Sequence, residues 1–226
     1  MKHRKKRLST RKRRALRRVL ILLILVIASW ALGSYGYLPS DNLREMEEMQ
    51  GVGRTEVLRR IWNPATDGWN RMVYLSANEN AVMLSGCFWN PFEGWTGSTY
   101  SVIDCSKEEK PVHSLVHFEA RDGKNGKRVT NAPLRAYGRV DDPAVEVIEV
   151  RVGIKETGKE SREVAVQRSE RKDWIELNGR AYFLMQTDRL EWEGPIFFEP
   201  MLRALDADGN VVAEYMAPDW IWSVVG

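Results

Sequence analysis

The feature that most restricts the fold is a succession of short segments in which apolar and polar residues alternate. Twelve of these segments lie beyond residue 54, and an alternation of period two is typical of β-strands. Sequences such as "RDGKNG", "LNGR" and "DADGN" separate them and supply the glycine and asparagine that tight turns need. We therefore predict an all-β architecture. The predicted strands are residues 55–62, 70–76, 81–89, 99–105, 112–119, 133–140, 145–152, 162–168, 172–177, 180–186, 196–205 and 211–216.

The strand pattern is clearest between residues 132 and 216. The sequence "VEVIEVRV" places Ile148, Val150 and Val152 on one face and charged residues on the other. Six or seven short antiparallel strands in a segment of this length are typical of an immunoglobulin-like sandwich. We predict such a sandwich over residues 132–226 and a smaller β-rich subdomain over residues 55–131. The sequence leaves open whether the two form one domain or two.

Three motifs in this C-terminal part carry a resemblance to other proteins. They are "GRVDDPAVEVIEVRV", "AYFLM" and "LRALDADGNVVAEY", in that order along the chain. Their order resembles that in uncharacterised membrane-anchored or secreted proteins of Gram-positive bacteria. The resemblance covers roughly the last 95 residues and implies a β-sandwich and a location in the cell envelope, not an activity.

The N-terminal sequence predicts a membrane anchor. Residues 1–18 hold eleven lysines and arginines and no acid, and the uncharged run that follows begins with Val19 and ends with Leu38. Twenty helical residues span ~30 Å, the thickness of a hydrocarbon core. We predict a transmembrane helix over residues 19–38, with the basic tail held in the cytoplasm. Residues 39–54, with a helix over 40–50, would link it to the extracytoplasmic β-region. A signal peptide cleaved after Gly33 is the alternative.

The basic tail does not indicate nucleic-acid binding. Beyond residue 18 the chain has 23 basic and 31 acidic residues, a net charge of −8. Phosphate backbones would repel an acidic main region. The basic residues instead suit the anionic inner surface of a membrane.

Two cysteines lie in the sequence "CFWNPFEGWTGSTYSVIDC". A hairpin centred on residue 96 would place Cys87 opposite Cys105, close enough for a disulfide after a small adjustment. An oxidising location outside the membrane favours this bond. The alternative is a pair of free, buried thiols.

The aromatic residues Trp89, Phe92 and Trp95 are the candidate ligand-binding residues. They lie in or beside the predicted turn, where exposed rings could stack on the sugars of an envelope glycan. Large aromatics that simply cover the end of a core are the alternative.

The sequence offers no catalytic residue, metal site or cofactor motif that can be defended. His113 and His117 lie on a predicted strand, which separates them by ~13 Å, too far to share a metal ion, so surface or hairpin positions are expected. The sequence "DADGN" lacks the spacing of a calcium loop, and Asp206, Asp208 and Asn210 are interpreted as a tight hairpin turn.

These observations lead to three functional hypotheses. The first is a non-catalytic, single-pass membrane protein whose extracytoplasmic β-sandwich binds a cell-surface protein. The second is an envelope glycan-binding module, and the third is an envelope hydrolase whose site the sequence does not identify. A histidine–acid pair lining a concave pocket would favour the third.

Overall fold

The structure is a computed structural model of the chain in which β-strands predominate. It describes residues 10–31, 36, 38–62, 72–91, 93–122, 128–156, 160, 162–191, 196–216 and 220–225. Two helices precede the strands, and a short 3-10 helix, Arg171–Asp173, interrupts them. The predicted all-β fold of the main region is confirmed.

The first helix, α1 (Thr10–Ala31), joins the end of the basic tail to the start of the apolar run. All its side chains from residue 11 to residue 28 are exposed. Among the described residues, no helix combines the length and the apolar content needed to cross a bilayer. The predicted span over residues 19–38 is also not one helix, because Gly36 pairs with β-structure and Leu38 precedes a second helix.

The second helix, α2 (Pro39–Gln50), lies close to the predicted bounds of 40–50. Pro39 occupies its first turn, where a missing N–H costs nothing. The Asp41 carboxylate accepts a hydrogen bond from the Leu38 N–H at 3.1 Å. Gly51 ends the helix with φ 65°, a left-handed conformation that glycine adopts without strain.

Thirteen strands follow in the part of the chain that the structure describes, and twelve of them correspond to the predicted ones. They are β1 (Glu56–Trp62), β2 (Met72–Ala77), β3 (Ala81–Asn90), β4 (Gly94–Asp104), β5 (Val112–Asp122), β6 (Arg128–Val140), β7 (Val147–Glu156), β8 (Arg162–Glu170), β9 (Ile175–Leu177), β10 (Arg180–Glu191), β11 (Ile196–Leu205), β12 (Val211–Met216) and β13 (Trp220–Val225).

The strands form three sheets. Sheet A is a meander in the order β1-β2-β3-β4, sheet B has the order β13-β5-β6-β10-β9, and sheet C has the order β12-β11-β7-β8. Neighbouring strands are antiparallel except β13, which pairs with β5 in parallel. The predicted boundary between residues 131 and 132 lies inside β6.

Sheet B lies between the other two sheets. Side chains on one of its faces, including Val116, Ala136 and Phe183, pack against Ile148 and Leu202 of sheet C. The opposite face contributes Leu115, Tyr137 and Tyr182 to a second core with sheet A. Both faces of sheet B are therefore covered in its central part, and polar side chains on its strands are buried along with apolar ones.

Helix α2 covers the outer face of sheet A. Leu43 and Met46 pack against Tyr74, Met83 and Cys87 in a third core. The order of layers is thus α2, sheet A, sheet B and sheet C. The strands of sheet A end beside Gly36 on one side of the sheet and at the β2–β3 turn on the other.

Candidate functional site

A polar pocket lies at the end of sheets A and B that is remote from Gly36. Its volume is about 660 Å³. We call it the distal pocket; it is lined by Cys105, Ser106, Lys107, Glu108, Glu109, Lys110, Pro111, His113, Arg139, Asp141, Asp142 and Arg180. Four basic and four acidic side chains therefore surround one cavity, so polar and charged groups of both signs would find partners there.

Arg139 forms the floor of the distal pocket and joins two sheets. It lies on β6 with 4% of its surface exposed. Its Nη1 donates to the carbonyl of Glu79 at 2.8 Å, and its Nη2 donates to the carbonyl of Cys105 at 3.3 Å. Arg180, on β10, donates to the same Glu79 carbonyl. Two arginines of sheet B thus hold the β2–β3 turn and the end of β4 of sheet A.

Asp141 balances the charge of Arg139 and contacts a histidine. Its Oδ2 lies 2.6 Å from Arg139 Nη2 and 3.2 Å from His113 Nε2. The pKa of His113 is lowered from its ordinary value, first by burial and then by the positive charge of Arg139. His113 is therefore mainly neutral near pH 7, which lets its Nε2–H donate to the Asp141 carboxylate.

This histidine–acid pair lines a concave pocket, the arrangement that would favour the hydrolase hypothesis. Cys105 lines the same pocket, and burial raises the pKa of its thiol to about 11. It is therefore a thiol rather than a reactive thiolate at neutral pH. Among the described residues, no group of three or more His, Cys, Asp or Glu is arranged to hold a metal ion. The pocket thus presents a histidine–acid pair and a protonated thiol.

His113 and His117 share one face of β5, as the predicted strand requires. The expectation that they lie at the surface is wrong, because sheet A covers this face and leaves them 5% and 1% exposed. His117 is opposite Arg135 on β6. Burial, and then the charge of Arg135, lower the pKa of His117 to about 3. A neutral imidazole is therefore built into the interface between sheets A and B.

The predicted disulfide between Cys87 and Cys105 is wrong. Both cysteines are free and buried. The β3–β4 hairpin turns between Asn90 and Gly94, not at residue 96, so Cys87 is opposite Gly97. Because Ala81 is opposite Asp104, Cys105 is level with residue 80, and seven residue steps along β3, roughly 23 Å, separate the levels of the two cysteines. The alternative of two free, buried thiols is the one that the structure bears out.

Trp89 and Trp95 are directly opposite each other on β3 and β4. Trp89 is 47% exposed, whereas Trp95 is partly buried against the core beneath α2. Phe92 lies outside the described residues. The structure thus brings two of the three candidate ligand-binding residues together, at the end of sheet A beside Gly36 and away from the distal pocket.

The interpretation of "DADGN" as a tight turn is confirmed. Asp206 Oδ1 accepts hydrogen bonds from the backbone N–H groups of Asp208 and Asn210 at 2.9 and 2.8 Å. Gly209 has a φ of 84°, which favours glycine. The carboxylate is therefore engaged in holding the turn between β11 and β12.

Sequence reasoning missed Arg139, Asp141 and Arg180. A local signal exists in "RAYGRV" of β6, where Arg135, Tyr137 and Arg139 alternate with small or apolar residues. That alternation is typical of a strand with one solvated face, so it does not indicate burial. Comparison of the chain with protein families and with curated proteins gives no match in either case.

Proposed function

We propose that this chain is a membrane-attached binding protein, held in the bilayer by α1, whose β-region outside the cytoplasm binds an envelope protein through the distal pocket. The observation that carries the proposal is the exposure of α1. Its large apolar side chains from Leu16 to Ile27 are each between 51% and 61% exposed. An apolar surface of this extent is unfavourable in water and is typical of a membrane or protein contact.

The charge distribution along α1 supports a defined orientation. The basic side chains from residue 11 to residue 18 are all exposed at its N-terminal end. Thirteen residues of the uncharged run, 19 to 31, lie in the helix and rise by about 20 Å, and the uncharged sequence continues to Leu38. Arg17 and Arg18 can extend the span by directing their charged ends toward the headgroups. Retention of basic residues inside the cell leaves the β-region outside.

The strand order of sheets B and C supports an immunoglobulin-like sandwich. In immunoglobulin domains, one sheet has the order A-B-E-D and the other contains C, F and G. Strands β5-β6-β10-β9 and β12-β11-β7-β8 follow that order, with β8 as an added strand beside β7. We propose this fold for residues 112–216, so its first strand precedes the predicted start at residue 132. Sheet A then covers a face that such a domain often leaves to solvent.

The distal pocket suits a polar protein segment better than a sugar. Its rim carries Lys107 and Glu108, whose side chains are 78% and 64% exposed. Charged groups at the rim can pair with opposite charges on a partner, whereas sugar binding favours an exposed aromatic face. The exposed aromatic residues Trp62 and Trp89 lie at the other end of sheet A. Glycan binding at Trp89 and Trp95 is therefore the second candidate.

Membrane attachment can be tested with the full chain in its host. Alkaline carbonate should leave the protein in the membrane pellet. The double variant Ile21→Asp/Leu25→Asp places two charges on one face of α1 and should release it. The matched control Val166→Asp/Val211→Asp changes two exposed residues of sheet C and should stay in the pellet. Release of the unchanged protein by carbonate would contradict the proposal.

Partner binding can be tested by photo-crosslinking in intact cells. A benzophenone amino acid replacing Lys107 should give a crosslinked product with one protein of defined mass. The same amino acid replacing Val166, which is exposed on β8, should not give it. If the same amino acid at position 89 crosslinks to glycan and at position 107 crosslinks to nothing, glycan binding is supported and protein binding through the distal pocket is overturned.

A further inference from the structure

Three tryptophans lie together at one end of sheet A, and we call this group the aromatic rim. It comprises Trp62 of β1, Trp89 of β3 and Trp95 of β4. Trp62 of β1 is directly opposite Met72 of β2, and Met72 is directly opposite Cys87 of β3. The opposed residues Trp89 and Trp95 lie two residues beyond Cys87, toward the β3–β4 turn. Trp62 and Trp89 are 57% and 47% exposed.

The aromatic rim lies on the face of sheet A that α2 covers, but beyond the part that α2 protects. Met72, Cys87 and Trp95 belong to the core under α2, which identifies this face. Leu38, which precedes α2, is 58% exposed at the same end. Large apolar side chains are thus left exposed at one end of a sheet whose strands β2 and β3 are otherwise mostly buried.

Gly36 is hydrogen-bonded to this end of sheet A, which limits how far the end of α1 can lie from it. The Gly36 N–H donates to the Glu93 carbonyl at 2.9 Å, and the Trp95 N–H donates to the Gly36 carbonyl at 2.7 Å. A side chain on Gly36 would collide with the Trp95 carbonyl, so only glycine allows this approach. Gly36 is five Cα-to-Cα steps from Ala31, the last residue of α1, and five steps span at most about 18 Å.

We propose that the aromatic rim rests in the headgroup layer of the bilayer that holds α1, so that the β-region is docked on the membrane. This inference rests on the proposed membrane attachment. Tryptophan favours the boundary between lipid and water, because its ring is apolar and its N–H can still find a partner. Arg60, which is exposed on β1 and lies on the same face as Trp62, suits anionic lipid headgroups. The docked orientation turns the distal pocket away from the membrane.

The test uses the full chain in vesicles of phosphatidylcholine and phosphatidylglycerol, with an environment-sensitive dye on single introduced cysteines. Trp62→Cys and Trp89→Cys report on the aromatic rim. Val211→Cys, 52% exposed on β12, is the matched control, and Leu23→Cys reports on α1. The unchanged chain, whose own cysteines are buried, provides the labelling blank.

Nitroxide lipids then locate each dye. At positions 62 and 89 we expect blue-shifted emission and loss of most of the signal with a nitroxide near the headgroup, and neither effect at position 211. Dye at position 23 should be quenched best by a nitroxide deep in the acyl chain. If position 23 is quenched while 62 and 89 behave like 211, the docking inference is overturned and the anchor stands. Absence of quenching at position 23 would overturn the anchor itself.

A second variant protects the test against damage from the loss of a tryptophan. Glu93→Cys labels the exposed turn between β3 and β4 and keeps every tryptophan in place. Dye at position 93 should also be quenched by the shallow nitroxide. Lack of quenching there, with position 23 still quenched, would overturn docking without any change to the aromatic rim.

Discussion

The burial of His117 predicts that acid destabilises the fold through one identifiable group. In the folded chain its pKa is lowered to about 3 by burial and by Arg135. In the unfolded chain a histidine has a pKa of ~6.5. Between these values the unfolded chain binds a proton that the folded chain does not. Stability contributed by His117 is therefore present above about pH 6.5 and is lost as the pH falls toward about 3.

The size of the effect follows from the two pKa values. A difference of one pKa unit corresponds to ~1.4 kcal/mol, so the full difference amounts to roughly 5 kcal/mol. Between about pH 7 and about pH 4.5 the expected loss from this group is roughly 2 to 3 kcal/mol. The pKa of His113 is also lowered by burial, and it adds a loss of the same sign.

Comparison of the unchanged chain with His117→Gln isolates the contribution of this residue. Guanidinium unfolding in a non-ionic detergent, followed by tryptophan fluorescence, would be measured at several pH values across that interval. The substitution has its own cost that does not vary with pH, whereas the contributions of His113 and the carboxylates cancel in the difference. The stability difference between the two chains should therefore change by roughly 2 to 3 kcal/mol. Parallel pH dependences would refute the argument that burial keeps His117 neutral.

Two further predictions concern the cysteines and the joint between sheets A and B. Without reductant, neither Cys87 nor Cys105 should be alkylated in the folded chain, because both thiols are buried and their pKa values are raised to about 11. Both should be alkylated after denaturation. A disulfide-linked peptide that contains both cysteines would contradict the observed register. Arg139→Gln should lower the free energy of unfolding by roughly 2 to 3 kcal/mol, because it removes the hydrogen bonds to the Glu79 and Cys105 carbonyls that join sheets A and B. The control Arg203→Gln breaks an ion pair on the outer face of sheet C and should cost less than about 1 kcal/mol in the same denaturation assay.

The hairpin between β3 and β4 illustrates where prediction from sequence failed. Pro91, Gly94 and Gly97 all favour a turn, and sequence alone does not rank them. In the structure Gly97 lies within β4 beneath α2, where a side chain would come within 2.5 Å of Asn42 Oδ1. Its lack of a side chain therefore serves a contact with a residue far away in the chain. The incorrect prediction of a Cys87–Cys105 disulfide follows from placing the turn too close to Gly97.

The prediction that His113 and His117 of β5 lie at the surface is wrong for a related reason. Alternation of polar and apolar residues normally predicts that the polar face meets water. In sheet B the polar face of β5 and β6 meets sheet A instead, and its histidine and arginine side chains are buried. The pattern of a single strand carries no information about a second sheet that covers it.

The sequence by itself determined that the main region is a series of strands and where most of them lie, because the side-chain period of a strand and the backbone demands of a turn are properties of a few neighbouring residues. The contrast between a basic, apolar N-terminus and an acidic main region is likewise readable without a fold. Only the tertiary structure decided how strands are shared among three sheets, because antiparallel pairs of similar composition have similar pairing energies. It alone assembled the distal pocket, since His113, Arg139 and Arg180 reach one cavity from three strands that are distant in the chain.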